Sequence, residues 1–175
     1  MTTSPEADKA ARLSAVAALI EQRVEHSERS GLLAFAASYF HRIDPEDIAT
    51  RDVEDLYGAL LSHWQFAQRR EPGKAKIRVI SPIAGEHGWS SRHTVVEIVN
   101  DDMPFLVDTV TMSLAEHGVG VHVLGHPVLH FTRDKAGKLT KVGEGQLESV
   151  MLLEIDRQPA EAMADIEQAI NKALD

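Results

Sequence analysis

Three histidines at intervals of four residues are the first side chains that suggest chemistry. On a helix, His122, His126 and His130 would share one face, and imidazoles arranged in this way are typical zinc ligands. The residues around them alternate as in a strand, however, and Gly125 and Pro127 would interrupt a helix. On a strand, four residues span about 13 Å, whereas each zinc ligand approaches the metal to about 2 Å. We therefore predict exposed histidines on a strand and no metal site.

Serine and aspartate side chains could serve in hydrolysis or acid–base catalysis. Two serines precede a histidine in WSSRH, residues 89–93. A serine nucleophile, however, needs a strained turn and a base from elsewhere in the fold, and this sequence has no such frame. Asp101, Asp102 and Asp108 lie close in sequence, but no nucleophile or electrophile accompanies them. We predict helix capping and solvation for these residues and no catalytic residue.

Glycines in GVGVHVLG, residues 118–125, match the first two positions of the dinucleotide-binding pattern G-x-G-x-x-G. Val123 stands where the third glycine should be. These glycines also enter a strand, whereas the dinucleotide-binding turn leaves a strand and opens a helix. GEGQLE, residues 143–148, fails in the same way. We therefore predict no cofactor-binding residue in this chain.

Composition excludes several classes of protein. The 175 residues are enough for one medium domain or two small ones, and the net charge of −9 without a basic stripe argues against nucleic acid as a partner. The absence of cysteine excludes disulfides and thiolate chemistry. No run reaches the roughly 18 apolar residues of a membrane span, and the N-terminal sequence has no secretory signal. We expect a cytoplasmic protein with no membrane partner.

Hydrophobic periodicity predicts two halves of different structure. Apolar residues recur at helical spacing through the first 70 residues, most clearly over residues 53–64. Near residues 71–75 the period becomes strand-like, and β-branched runs such as KIRVISP and RHTVVEIVN follow. An amphipathic helix ends the chain. We predict a helical N-terminal segment over residues 1–72 and a βαββα domain over residues 73–175.

The stretch DDMPFLVDTVTMSLAEHGVGV, residues 101–121, can be interpreted as a capped helix or as a ligand-binding loop. Asp101 or Asp102 can cap the helix, Pro104 suits its first turn, and Gly118 suits a left-handed C-terminal end. The residues predicted to form its buried stripe are Met103, Leu106, Val107, Val110 and Leu114.

This β–loop–α–β unit, with its Asp-x-Pro-like turn and its Gly-Val-x-Val return, resembles the ACT domain, a ferredoxin-like module that typically senses amino acids. Most of residues 30–175 also resemble the N-terminal region of the large bacterial NAD-specific glutamate dehydrogenases, most specifically over residues 89–134. The resemblance implies an α+β fold, in which a helical N-terminal layer precedes an ACT-like antiparallel sheet with helices on one face. It also implies a fragment of a longer enzyme.

In that family the dehydrogenase core lies far downstream of the ACT-like domains. The resemblance therefore implies a non-catalytic regulatory or assembly segment, with NAD bound elsewhere in the parent enzyme. That parent would convert L-glutamate, water and NAD to 2-oxoglutarate, ammonium and NADH. The expected partners are the rest of the parent chain and further copies in a homo-oligomer. The alternative is a free-standing amino-acid-binding module, in which a small amino acid occupies the loop of Asp101, Asp102, Met103, Pro104 and Phe105.

Phe105 departs from the ACT pattern, because amino-acid-binding ACT domains usually have glycine after the proline of this turn. A phenylalanine ring would crowd a ligand that approaches the backbone. Phe105 and Met112 lie off the buried stripe of their helix, seven residues apart and thus on one side. They could form a contact surface, or the N-terminal helices could cover them. We favour cover by the N-terminal helices, since the stripe over residues 53–64 needs a partner.

Overall fold

The computed structural model describes residues 2–175 and has the predicted α+β fold. None of the helices it describes is long and apolar enough to cross a membrane. The helices are α1 (Pro5–Arg23), α2 (His26–Tyr39), α3 (Pro45–Ala49), α4 (Val53–Ala67), α5 (Ala84–His87), α6 (Leu106–Glu116) and α7 (Ala160–Leu174). The strands are β1 (Lys76–Ile80), β2 (Thr94–Asp101), β3 (Val121–Gly125), β4 (Val128–Arg133), β5 (Leu139–Val142) and β6 (Gln146–Ile155).

Polar caps begin three of the four N-terminal helices. Ser4, Asp44 and Asp52 each accept a backbone N–H in the first turn of α1, α3 and α4, respectively. These bonds satisfy donors that a helix start leaves without an intrahelical partner. Pro45 is the first residue of α3, where its fixed φ suits the first turn.

Strand β6 is the centre of the sheet. It pairs with β2 on one side, from Thr94 opposite Ile155 to Asp101 opposite Glu148. On its other side it pairs with β3 at one end and with β4 at the other. Strands β3 and β4 therefore lie end to end along β6. Strand β1 pairs with β2 and β5 pairs with β4, and all of these pairs are antiparallel.

Helices cover both sides of the sheet. The side that carries Val95 packs against α1–α4, and the side that carries Val96 and Ile98 packs against α6 and α7. Strand β2, which is apolar on both faces, is thus covered on both. The N-terminal helices thus share an apolar core with the sheet, while the division into domains at 1–72 and 73–175 stays a prediction.

Three glutamates interrupt the apolar side of the sheet under α1–α4. Glu97, Glu148 and Glu154 are each at most 2% exposed. Burying a carboxylate without a counter-charge costs several kcal/mol, because the group loses its hydration. Each of the three meets arginine from another element. The pairs are Arg78 with Glu97, Arg51 with Glu154, and Arg70 and Arg133 with Glu148.

We expect Arg51→Ala to lower the free energy of unfolding by about 3 kcal/mol, because it leaves Glu154 buried without its counter-charge. This is the low end of the range for such pairs, since the Arg51 side chain is 30% exposed. Urea denaturation followed by circular dichroism measures the change. Arg23→Ala is the matched control, because the side chains of Arg23 and Glu54 are 46% and 57% exposed, and solvent screens this pair, so its loss should lower the stability much less. Equal losses of stability in the two variants would contradict the expectation that the burial of Glu154 makes the loss of its partner costly.

Candidate functional site

The loop of residues 101–105 joins the end of β2 to the start of α6. Asp101 still pairs with β6, and the backbone N–H of Asp102 donates to the carbonyl oxygen of Leu147 at 3.1 Å. The following residues leave the sheet, and α6 begins at Leu106. The first part of the loop therefore belongs to the ladder at the centre of the sheet, and β6 determines its position.

The carboxylate of Asp101 connects the loop to the helical layer. Arg70 donates from Nη2 to Asp101 Oδ1 at 2.6 Å, from Nε to Glu148 Oε1 at 2.9 Å and from Nη1 to the carbonyl oxygen of Lys74 at 2.8 Å. Arg70 is 5% exposed, whereas the side chain of Asp101 is 56% exposed. One buried guanidinium thus serves two carboxylates and ties the segment after α4 to the loop.

Asp102 belongs to a hydrogen-bonded chain with Ser149 and His126. The hydroxyl of Ser149 donates to Asp102 Oδ1 at 2.9 Å, and Nε2 of His126 lies 3.0 Å from Ser149 Oγ. Because the one hydroxyl proton points to Asp102, His126 must carry a proton on Nε2 and donate it to the serine. A serine nucleophile needs an unprotonated nitrogen at this position. Ser149 is also fully buried, so the chain is structural, although it joins serine, histidine and aspartate.

The prediction that Asp101 or Asp102 caps α6 is wrong. Both carboxylates are held by the partners just described, and within residues 2–175 no side chain caps the first turn of α6. Pro104 lies before the helix, not in its first turn as predicted. The residue at the cap position is Phe105, whose carbonyl oxygen accepts the backbone N–H of Thr109 at 2.9 Å and its hydroxyl at 2.8 Å.

Phe105 has a left-handed backbone conformation, with φ of 65° and ψ of 12°. It is the one non-glycine residue with positive φ in the part of the chain that the structure describes. This conformation brings the β-carbon of an L-residue too close to the following carbonyl and costs about 1–2 kcal/mol. The side chain is 76% exposed, so little packing within residues 2–175 offsets that cost. The glycine typical of this turn would carry no such strain.

The expectation that the N-terminal helices cover Phe105 and Met112 is wrong. Helices α1–α4 lie on the opposite side of the sheet from α6. Met112 is 64% exposed, and Met103 is 38% exposed, so Met103 does not belong to the predicted buried stripe. The α6 residues that are buried are Leu106, Val110, Ser113 and Leu114.

A family model for the glutamate dehydrogenase ACT1 domain matches residues 35–170 of the chain. The chain belongs to this family. The matched range contains the whole sheet and the loop of residues 101–105, together with α3, α4 and the end of α2. The ACT1 match thus includes part of the helical layer as well as the sheet.

Full-length relatives of the ACT1 domain are named NAD-specific glutamate dehydrogenase. The relative from Halomonas elongata is 35% identical over 164 residues, which are 89% of this chain and 10% of the relative. The relative from Pseudomonas aeruginosa is 36% identical over 148 residues, which are 80% of this chain and 9% of the relative. The chain therefore spans about a tenth of the length of the curated relatives it matches. The resemblance to the NAD-specific glutamate dehydrogenases is confirmed.

The three regularly spaced histidines of the ACT1 domain have separate partners. His122 of β3 stacks on His93, with ring centroids 4.3 Å apart. His126, between β3 and β4, joins the hydrogen-bonded chain of the loop. His130 of β4 has Nδ1 at 3.1 Å from the carbonyl oxygen of Gly145. Across residues 2–175, no three histidine, aspartate or glutamate side chains converge as a metal site requires.

The stacked pair His93–His122 lies where β3 begins and β6 ends. Burial lowers the pKa of His93 below its ordinary value, and the neighbouring His122 lowers it further. Asp156 accepts the backbone N–H of Gly120 at 2.8 Å, and its Oδ1 lies 2.6 Å from His122 Nε2. These two hydrogen bonds lower the pKa of Asp156. Asp156 therefore links the backbone before β3 and the ring of His122 to the end of β6.

One more imidazole of the ACT1 domain is buried between the helices and the sheet. His63 of α4 has Nδ1 at 2.8 Å from the hydroxyl of Tyr39 and Nε2 at 3.3 Å from the carbonyl oxygen of Ile98. A carbonyl oxygen only accepts, so Nε2 carries the proton and Tyr39 donates to Nδ1. Burial lowers the pKa of His63 to about 3. The neutral ring therefore holds α4 to α2 and β2 and does not titrate near pH 7.

We expect Phe105→Gly to raise the free energy of unfolding by about 1 kcal/mol relative to Phe105→Ala. Glycine adopts positive φ without strain, whereas alanine keeps the strain, and both variants remove the same exposed ring. Chemical denaturation of the two variants gives the difference directly. Equal midpoints would contradict backbone strain at this position.

Acid should destabilise the ACT1 domain through His63. Its folded pKa of about 3 lies below the ordinary value of 6.5, so the unfolded chain binds an extra proton between these two pH values. Stability from this group is complete above about pH 6.5 and is lost as the pH falls toward 3, by up to about 1.4 kcal/mol per pH unit. His63→Gln keeps one donor and one acceptor but cannot titrate. Urea denaturation at a series of pH values should show a shallower slope for this variant, and identical slopes would exclude His63 as the cause.

Proposed function

We propose that this ACT1 domain is a non-catalytic regulatory or assembly segment of a large NAD-dependent glutamate dehydrogenase, and that residues 101–105 form a packing contact. The conformation and exposure of Phe105 carry this proposal. The aromatic ring occupies the position where a ligand of an amino-acid-binding ACT domain approaches the backbone, and the chain bears the strain without burying the ring. The ring would obstruct the approach of a small amino acid to the backbone of this turn.

The two carboxylates of the loop support a packing role, because both are already engaged. A carboxylate that binds the ammonium group of an amino-acid ligand must be free to accept its hydrogen bonds. Asp101, however, shares Arg70 with Glu148, and Asp102 accepts the proton of the buried Ser149. If either carboxylate turned away to bind a ligand, a buried hydrogen-bond donor would lose its acceptor, at a cost of about 1–3 kcal/mol.

The proposed parent enzyme converts L-glutamate, water and NAD to 2-oxoglutarate, ammonium and NADH in the cytoplasm. The names of the two relatives support this reaction and NAD as the cofactor, and most of their length lies outside the matched part. Gly118 ends α6 with φ of 67°, and Gly120 leads into β3, which is the wrong order for a dinucleotide-binding turn. We place the NAD site and the catalytic residues in the rest of the parent chain, and we expect that enzyme to be a homo-oligomer.

The non-catalytic role predicts that the purified chain forms no NADH from L-glutamate and NAD. An absorbance assay measures this against a buffer control, with an active glutamate dehydrogenase as the positive control. NADH formation above the buffer rate, proportional to the amount of chain added, would overturn the non-catalytic role.

The packing role predicts that calorimetric titration with a panel of amino acids, including glutamate, gives no saturable binding. Phe105→Gly, which restores the glycine typical of ACT turns, is the informative comparison. The engaged carboxylates should prevent binding to this variant as well. Stoichiometric binding at micromolar concentrations, abolished by Asp101→Asn or Asp102→Asn, would support a free-standing amino-acid-binding module instead.

A further inference from the structure

Several large apolar side chains are exposed in the area of α6 and of the sheet side that it covers. The pairing of Leu124 with Leu153 and of Val128 with Ser149 places the sheet residues of this area on the same side as α6 and α7. The carbonyl of Leu147, the third sheet residue, accepts the N–H of Asp102, which places it next to the loop. We call this area the α6 patch. Its members, each 37–76% exposed, are Met103, Phe105, Met112, Leu124, Val128 and Leu147.

Phe105 and Met112 form the outer side of α6. They lie on one side of the helix, since seven residues make nearly two helical turns. The buried residues Leu106, Val110 and Leu114 lie on the opposite side, which packs into the core that α6 shares with α7. Two large apolar side chains on the exposed side of one helix, in addition to the exposed apolar residues of the loop and the sheet, are more than the scattered exposure that is normal for a protein surface.

The charged side chains of α6 and of the loop before it are all acidic, whereas Arg42 lies beside Val128 at the sheet end of the patch. Residues 101–132 and 142–156, which supply the whole patch, contain no lysine or arginine. Over residues 101–116 the rim has four exposed carboxylates. Histidine is the one basic residue type in these two segments, and it counts as neutral in the net charge of −9. The rim carboxylates are Asp101, which is paired with Arg70, Asp102, which accepts from Ser149, and Asp108 and Glu116, which lie on the same side of α6 as Phe105 and Met112.

A second α6 patch is a poor partner for the first. An isologous contact would bring two acidic rims together around the apolar centre, and like charges in contact oppose association. A surface with lysine and arginine around an apolar pocket would instead match both the rim and the centre. Methionine and phenylalanine are also residues that protein–protein contacts favour.

We propose that the α6 patch docks on a basic polypeptide surface, with Phe105 inserted in an apolar pocket of that surface, and that the occupant is not a second copy of this chain. This inference rests on the proposed packing role of the loop and adds the chemistry of the partner. It also explains why the chain keeps a phenylalanine in a strained conformation, because the pocket would bury the ring that residues 2–175 leave exposed.

Photo-crosslinking in the complete gene product tests the proposal. Phe105→p-benzoyl-phenylalanine places a reactive ring at the centre of the α6 patch, and Gln168→p-benzoyl-phenylalanine, at an exposed position of α7, is the control. After irradiation, mass spectrometry maps the linked peptides. We expect position 105 to link to one segment rich in lysine and arginine outside the sequence of this chain, at least several-fold above the yield from position 168. Circular dichroism checks that both variants are folded.

Charge reversal tests the acidic rim separately. Asp108→Lys with Glu116→Lys should reduce the yield of that cross-link several-fold, whereas Glu161→Lys with Asp165→Lys on α7 should leave it unchanged. A link between two copies of this chain, a link to a segment without basic residues, an unchanged yield after reversal at α6, or a yield equal to that at position 168 would each overturn the proposal. Amino-acid binding in the titration would overturn the packing role alone, so the two failures are distinguishable.

Discussion

The need to neutralise three buried glutamates determines how the layers of this protein fit together. Glu97, Glu148 and Glu154 lie on the sheet side that the N-terminal helices cover, where an unpaired carboxylate would be strongly destabilising. Their partners come from β1, from β4 and from the segments that follow α3 and α4. An apolar interface tolerates small shifts between a helix and a sheet, whereas a forked arginine–carboxylate pair requires defined positions of both groups. The pairs that Arg51 and Arg70 make therefore fix the position of the helical layer on the sheet.

The loop of the ACT1 domain depends on one of these pairs. Arg70 neutralises Glu148 and also holds Asp101, so the same guanidinium anchors the helical layer and the start of the loop. Its own backbone is held by the β4–β5 turn, where the N–H of Arg70 donates to the carbonyl of Gly137 at 3.0 Å. A β-carbon at Gly137 would lie 1.9 Å from the carbonyl oxygen of Arg70, and its φ is +86°. This turn therefore requires glycine, and through Arg70 it supports a loop on the other side of β6.

Sequence periodicity predicted the elements well, and local rules predicted the loop poorly. The burial of Val95 and Val96 on opposite sides of β2, the cap at Asp44 and the left-handed Gly118 follow from the spacing of apolar residues and from the nearest backbone groups. Asp101 and Asp102 were expected to cap α6 because a cap is the nearest available partner. Arg70 and Ser149, 31 and 47 residues away in sequence, hold them instead. Partners so distant leave no local pattern, and the same is true of the Asp102–Ser149–His126 chain.

The position of β6 at the centre of the sheet also has a consequence for folding during synthesis. It is the last strand of this sheet to leave the ribosome, yet β2, β3 and β4 all pair with it. Until it emerges, the β1–β2 and β4–β5 hairpins have no common strand, and Arg51 lacks the carboxylate that lies 103 residues later. Such distant contacts are slow to form, and unpaired strand edges favour aggregation. The N-terminal helices therefore lack their complete packing partner until nearly the whole domain has been made. The nascent chain needs protection from aggregation most just before residue 146 is made.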